Sequence, residues 1–224
     1  MSGWRSTKEV IKLFNHIGSF FTEASFWIWR MMQLNWLWLS HILLGAVVLG
    51  MFPATVAMFA ITRKWLQGGL DRPLFREYHR YYRQNFWKVN GLGWIYLATG
   101  AFLAFDLYLV TQINGMIALL SSMLLIVMSL IYLFSFFYLF SYYVHFNQTF
   151  KNYLIQPFIL TLLSFKQNLL IAIGLTLVGY LIYQIPGLIL FTLGVMPSYW
   201  VMKVSLNRFR ELQEQSESII GGTS

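Results

Sequence analysis

The sequence contains no cysteine and few charged residues. Only 11% of its 224 residues are charged, whereas about a quarter are charged in a typical soluble domain. The absence of cysteine excludes disulfides, thiolate metal sites and cysteine nucleophiles. The low charge leaves too little polar surface for a water-soluble globule, and 58% of the residues are hydrophobic. The composition therefore predicts a protein that is solvated mainly by lipid.

The sequence also lacks the common catalytic motifs. It has no glycine-rich loop ending in Lys-Ser/Thr, no His-Glu-x-x-His and no Gly-x-Ser-x-Gly. Asp106 is the only acid inside a predicted membrane crossing, so general acid–base chemistry would have few groups to use. We therefore expect no enzymatic activity, no cofactor and no metal. The net charge of +8 predicts contact with anionic lipid headgroups. No nucleic-acid partner is expected, because a soluble basic face is missing.

Long apolar runs separated by basic segments predict an all-α, polytopic helical membrane protein. The sequence predicts an amphipathic N-terminal helix at residues 1–25 and a single transmembrane helical domain at residues 26–210. It predicts a polar, frayed C-terminal tail at residues 211–224. Five crossings are expected, and a sixth at residues 24–39 is an open alternative. The five lie at residues 37–62, 92–110, 117–139, 169–183 and 188–202. The third helix is expected to continue to Tyr153.

The basic residues predict the orientation in the membrane. Residues 63–88 contain seven of the sixteen Lys and Arg residues, whereas the connections 111–116 and 184–187 contain none. Because cytoplasmic loops are enriched in Lys and Arg, we expect a multi-pass protein of the cell inner (plasma) membrane with a cytoplasmic C-terminus. The side of the N-terminus depends on whether five or six segments cross, and both counts stay open.

Residues 73–88 predict a basic cytoplasmic interfacial helix. Arginines recur every three or four residues, and an aromatic residue follows; the set is Arg72, Arg76, Arg80, Arg83 and Trp87. One interpretation is a helix whose arginines bind lipid phosphates. The other is a docking helix that anchors a partner through arginine and aromatic side chains.

Two short sequences predict helix breaks. Leu-Gly-Met-Phe-Pro contains Gly50 and Pro53, and Leu-Gly-Val-Met-Pro contains Gly194 and Pro197. Proline removes a backbone hydrogen bond and clashes with the preceding turn, so a kink or break is expected at each sequence. The similarity of the two sequences is compatible with either an internal duplication or chance.

Asp106 and His41 are the candidate polar groups within the membrane. An ionisable group at that depth predicts a proton or cation site. The alternative for Asp106 is a boundary carboxylate that is satisfied by solvent. His41 is expected near the outer boundary, and a single histidine without a spaced partner is weak evidence for a metal.

Four motifs between residues 34 and 90 carry a family resemblance: Leu34-Asn35-Trp36-Leu37-Trp38, Gly50-x-x-Pro53-Ala54-Thr55-x-Ala57, Arg63-Lys64-Trp65-x-x-Gly68 and Phe86-x-Lys88-x-Asn90. On the basis of these motifs, the sequence resembles the YesL-like family of bacterial integral membrane proteins over residues 34–208. The resemblance implies a part in carbohydrate uptake or use, and it supplies no catalytic residues.

Our hypothesis from the sequence is therefore a non-enzymatic accessory membrane protein whose partners are lipids and the subunits of a carbohydrate ABC importer. A homo-oligomer is compatible with the sequence. The alternatives are a small solute transporter or channel that uses Asp106, and a lipid-organising membrane scaffold.

Overall fold

The computed structural model describes residues 3–69, 73–84 and 86–221, and the chain is helical without strands over these ranges. The all-α class predicted from the sequence is confirmed. The helices are α1 (Gly3–Leu44), α2 (Met51–Leu66), α3 (Leu74–Gln84), α4 (Phe86–Val110), α5 (Met116–His145), α6 (Phe150–Leu163), α7 (Phe165–Gln184), α8 (Ile189–Thr192) and α9 (Val195–Gly221). A 3₁₀ turn, Pro186–Leu188, precedes α8.

Three of the described helices are long and apolar enough to cross a membrane, namely α4, α5 and α7. A fourth crossing forms if the bent pair of 186–192 and α9 is one span. This count is smaller than the five or six crossings predicted. With 16 residues, α2 is shorter than the roughly 20 that a crossing needs. In α1, Arg30, Gln33 and Asn35 interrupt the apolar run.

Helix breaks lie beside both prolines. Residues 37–62, predicted as one crossing, are divided between α1 and α2 by a turn at residues 45–50. Pro53 follows that turn and lies in the first turn of α2, where its missing N–H removes no helical hydrogen bond. Pro197 occupies the corresponding position in α9, and the chain bends by 60° between α8 and α9.

Three helix ends differ from the sequence predictions. The third predicted crossing does not continue to Tyr153, because α5 ends at His145 and the chain turns at residues 146–149. The Tyr153 hydroxyl stabilises that turn by donating to the Phe146 carbonyl at 2.7 Å. At the C-terminus, α9 continues to Gly221, so residues 211–221 are helical. At the N-terminus, α1 is unbroken from Gly3 to Leu44, so the predicted amphipathic helix is not a separate element.

The packed core lies at one end of the molecule. Helix α2 contacts α1, α3, α4, α5 and α9, and 11 of its 16 residues are buried. In α5 the buried residues lie between Ser135 and Tyr143, whereas the first half of that helix exposes large apolar side chains such as Ile117 and Leu124. Exposed apolar surface of this extent needs hydrocarbon as its solvent. The fold therefore consists of a protein-packed end and an apolar end for lipid.

Gly50 lets α1 and α2 approach closely at their break. A Cβ at Gly50 would lie 2.5 Å from the Ile42 carbonyl oxygen and 2.8 Å from that of His41. At Gly194 a Cβ would meet only side chains, at 2.9 Å from Trp38 and 3.0 Å from Met58. Backbone atoms move less readily than side chains, so we expect Gly50→Ala to destabilise the protein by about 1–3 kcal/mol.

Gly194→Ala is the matched control, and its loss of stability should be smaller. The measurement is the thermal unfolding of both purified variants in detergent. Equal melting temperatures for the two variants would contradict the close approach at Gly50.

Candidate docking helix and basic cavity

The inner face of α3 is fixed to α2. Glu77 is 1% exposed and forms ion pairs with Lys64 at the end of α2 and with Arg80 one turn along α3. The buried Tyr78 hydroxyl donates to the Ala54 carbonyl at 2.7 Å. Burial raises the pKa of Tyr78 well above its usual value, so its hydroxyl stays protonated. These contacts hold α3 in one position and determine which face it exposes.

The outer face of α3 is basic and aromatic. Arg76 and Arg83 are exposed, and neither has an acidic partner among the described residues. Phe75 is 62% exposed, and Trp87, just after α3, is 77% exposed. The four arginines grouped by sequence thus differ: Arg80 is paired with Glu77, and Arg72 lies outside the described residues.

His41 is buried against α3, at 1% exposure. Its Nδ1 lies 2.8 Å from the Leu37 carbonyl, and its Nε2 lies 3.2 Å from His79 Nδ1. A carbonyl only accepts, so His41 Nδ1 carries the proton and Nε2 accepts from His79. Burial lowers the pKa of His41, the hydrogen bond to Leu37 opposes that effect, and His79 adds to it. His41 is therefore a neutral link between α1 and α3.

We expect this link to make the protein less stable in acid. Because the folded-state pKa of His41 lies below that of an unfolded histidine, about 6.5, unfolded chains bind more protons as the pH falls through that value. The melting temperature should thus be lower at about pH 5.5 than at about pH 7.5. The groups that face His41 from α3 are His79, Tyr78 and Tyr82.

His41→Gln cannot take up a proton and should show a smaller difference between the two pH values. Thermal unfolding in detergent at both pH values is the measurement. An unchanged pH difference in this variant would show that other groups cause it.

Asparagines from other helices hold both helix breaks. Asn35 of α1 donates to the Leu190 carbonyl at 2.8 Å and accepts from the Gly194 N–H at 3.0 Å. Asn90 of α4 donates to the Leu49 carbonyl at 2.9 Å. Backbone groups at a break lack helical partners, and buried polar groups need them. The breaks at Gly50 and Gly194 are thus fixed by side chains distant in sequence.

Asp106 lies on the lipid-exposed part of α4. Its side chain is half-buried, and the neighbouring Phe105 is 57% exposed. It lies one turn before Val110, where α4 ends, and it does not line the basic cavity formed by Arg63 and Lys88. Its role as a proton or cation site stays a prediction.

A basic cavity of about 320 Å³ lies at the packed end of the molecule. Five helices and the turn at residues 146–149 surround it. Its polar lining consists of Arg63 from α2, Tyr81 from α3, Lys88 from α4, Tyr143 and His145 from α5, Asn147 from the turn and Tyr153 from α6. None of its described lining residues is acidic.

Two cationic side chains, Arg63 and Lys88, line this cavity, and its described lining supplies no carboxylate to pair with them. Arg63 Nη1 donates to the Val144 carbonyl at 2.7 Å, and its buried Nε has no hydrogen-bond partner among the described residues. Lys88 donates to the Gln148 carbonyl at 3.3 Å and lies 4.6 Å from the centre of the Tyr153 ring. Burial lowers the pKa of Arg63, and Tyr81 opposes that shift.

This cavity was not predicted from the sequence. In the sequence, Arg63 and Lys88 belong to the basic segment that predicts the orientation of the protein. The convergence of the lining residues depends on the turn after α5, whereas the sequence predicts a continuous helix there. The described residues contain no group of three or more His, Cys, Asp or Glu side chains that could hold a metal ion.

Comparisons with known proteins bear on the same region. The family model described as "Protein of unknown function, DUF624" matches residues 31–107, which run from α1 through α3 into α4. The chain is 32% identical over 179 residues to the uncharacterized protein YteU of Bacillus subtilis (strain 168), covering 80% of each chain. This chain belongs to the YesL-like family.

Two further relatives from the same organism support that membership. The uncharacterized protein YesL is 29% identical over 191 residues, covering 85% of this chain and 90% of YesL. The uncharacterized protein YesV is 30% identical over 182 residues, covering 81% of this chain and 88% of YesV. No solved structure matches the chain. The family-model match at residues 31–107 includes α3, Arg63 and Lys88, whereas Tyr143, His145 and Tyr153 lie beyond it.

Proposed function

We propose that this YesL-like protein is a non-enzymatic accessory protein of the bacterial inner membrane that docks a carbohydrate ABC importer through α3. The observation that carries the proposal is the outer face of α3, where Arg76 and Arg83 are exposed and have no acidic partner in the described part of the chain. The carbohydrate link rests on what the family resemblance implies. The proposed partner surface is acidic, because charge complementarity directs association and suppresses wrong partners.

The anchoring of α3 supports docking by a rigid helix. Glu77 and Tyr78 hold its inner face against α2, so Arg76, Arg83 and Phe75 need little ordering when a partner binds. Pre-organised arginine and aromatic side chains are typical of the residues that contribute most to binding energy. Phe75 and Trp87 can supply the apolar part of the contact.

Co-purification from native membranes tests this function. The variant Arg76→Glu/Arg83→Glu should lose importer subunits that the wild type retains in mild detergent. The control Lys151→Glu/Lys166→Glu has the same change in charge at exposed lysines of α6 and α7 and should retain them. Recovery of the wild type alone, or equal retention by both variants, would refute docking through α3.

We propose that the packed end and the C-terminus face the cytoplasm. The contacts of Arg63, Lys88 and Arg208 gather basic residues at that end, whereas the turn after α4 contains none. The absence of cysteine allows a direct test. A membrane-impermeant maleimide added to intact cells should label Gln112→Cys but should label Arg83→Cys only after permeabilisation. The reverse pattern would refute this orientation.

A further inference from the structure

We propose that the basic cavity binds a phosphate group, on an anionic phospholipid headgroup or on a soluble phosphate ester. This binding is independent of docking through the outer face of α3, because it depends on Arg63 of α2 and Lys88 of α4, whereas α3 contributes Tyr81 to the cavity wall. Both possible ligands present the same chemistry to the site, namely a compact group of negatively charged oxygens.

The charge balance of the cavity supports an anion. Arg63 and Lys88 both line it, and no described lining residue supplies a negative charge. The nearby acid Glu77 is already bound to Lys64 and Arg80. Arg63 is half-buried, and the Val144 carbonyl is its hydrogen-bond partner among the described residues, whereas Lys88 is exposed at the mouth of the cavity. A half-buried cation is unfavourable unless another charge compensates it. A bound anion would supply that charge.

The donors in the cavity fit phosphate oxygens. Arg63 uses Nη1 for the Val144 carbonyl, and its Nε has no partner among the described residues. Within the described ranges, Lys88 makes one hydrogen bond, to the Gln148 carbonyl, and an ammonium group has three N–H donors. Arginine and lysine form charge-assisted hydrogen bonds with phosphate. The site can therefore supply donors from two sides without breaking the hydrogen bonds of Arg63 and Lys88.

The size and walls of the cavity limit the ligand. A volume of about 320 Å³ is at the lower end of the range for small-molecule sites, about 300–1,000 Å³. Tyr143, Phe146 and Tyr153 provide aromatic walls. The cavity thus accommodates a phosphate together with a small part of the molecule that bears it.

The experiment compares two phosphate sources with the purified full-length protein. In detergent, its melting temperature is followed as glycerol 3-phosphate is added, with glycerol plus sodium chloride at matched ionic strength as the reference. Separately, the melting temperature is compared between phosphatidylcholine nanodiscs with and without phosphatidic acid. Stabilisation by glycerol 3-phosphate indicates a soluble ester, and stabilisation by phosphatidic acid alone indicates a headgroup.

Variants of Lys88 assign the effect to the cavity. Lys88→Gln should weaken the response by about tenfold in apparent affinity, Lys88→Arg should retain it, and Lys151→Gln on the surface of α6 should not change it. If Lys88→Gln does not fold, the wild-type responses and the Lys88→Arg variant still test the proposal. Absence of a response to both phosphate sources would overturn it, and so would an equal loss in Lys88→Gln and Lys151→Gln.

Discussion

Glu77→Gln should lower the free energy of unfolding by about 2–3 kcal/mol. Removing one member of a buried ion pair typically costs about 3–5 kcal/mol, because the remaining charge is uncompensated. Glu77 is 1% exposed, but the side chains of Lys64 and Arg80 are 35% and 45% exposed. Solvent therefore screens part of their charge, and the expected loss lies below that range.

Chemical or thermal unfolding of the detergent-solubilised protein measures this loss. Glu214→Gln is the control, because it makes the same change at an exposed position of α9 and should alter stability by less than about 0.5 kcal/mol. Equal losses in the two variants would show that Glu77 does not anchor α3. Glu77→Gln should also weaken any partner binding that requires α3 to be held in place.

The second large effect is expected for Asn35→Leu. The leucine has a similar size, but it leaves the Leu190 carbonyl and the Gly194 N–H without their partner. An unsatisfied buried polar group costs about 1–3 kcal/mol, and Asn35 is 0% exposed. We therefore expect a loss of about 2–4 kcal/mol in the free energy of unfolding.

Asn207→Leu is the matched control, because Asn207 is exposed on α9. The two variants are compared by thermal unfolding and by protease sensitivity at the bend between α8 and α9. Asn35→Leu should increase cleavage there, and Asn207→Leu should not. A stable Asn35→Leu protein with an intact bend would show that packing alone holds that break.

The apolar helices were predictable from the sequence because each depends on local composition. The regions assigned as α4, α5 and α7 are continuous apolar runs, and such runs predict crossings without knowledge of the neighbours. Membership of the YesL-like family was likewise visible in the motifs between residues 34 and 90. The number of crossings could not be predicted in this way. Helix α2 is apolar because it is buried in protein, and composition alone does not distinguish burial in protein from burial in lipid.

The candidate site was less predictable because its residues meet through tertiary contacts. The arginines of α3 form a sequence pattern, but the pairing of Arg80 depends on Glu77, which that pattern did not include. His41 was placed near a membrane boundary, whereas the structure packs it between Tyr78 and Tyr82. The basic cavity joins Arg63 with Tyr153, which is 90 positions later in the sequence.

The protein cover of α2 has a consequence for biosynthesis. Four of the helices that cover it, α3, α4, α5 and α9, are synthesised later. The last of them, α9, begins at Val195, which is 129 residues after α2 ends at Leu66. Until α9 has left the ribosome, α2 has no complete environment in either lipid or protein. A nascent chain that stops before Val195 should therefore be retained by chaperones or degraded. The synthesis of α9 thus determines when α2 reaches its native surroundings.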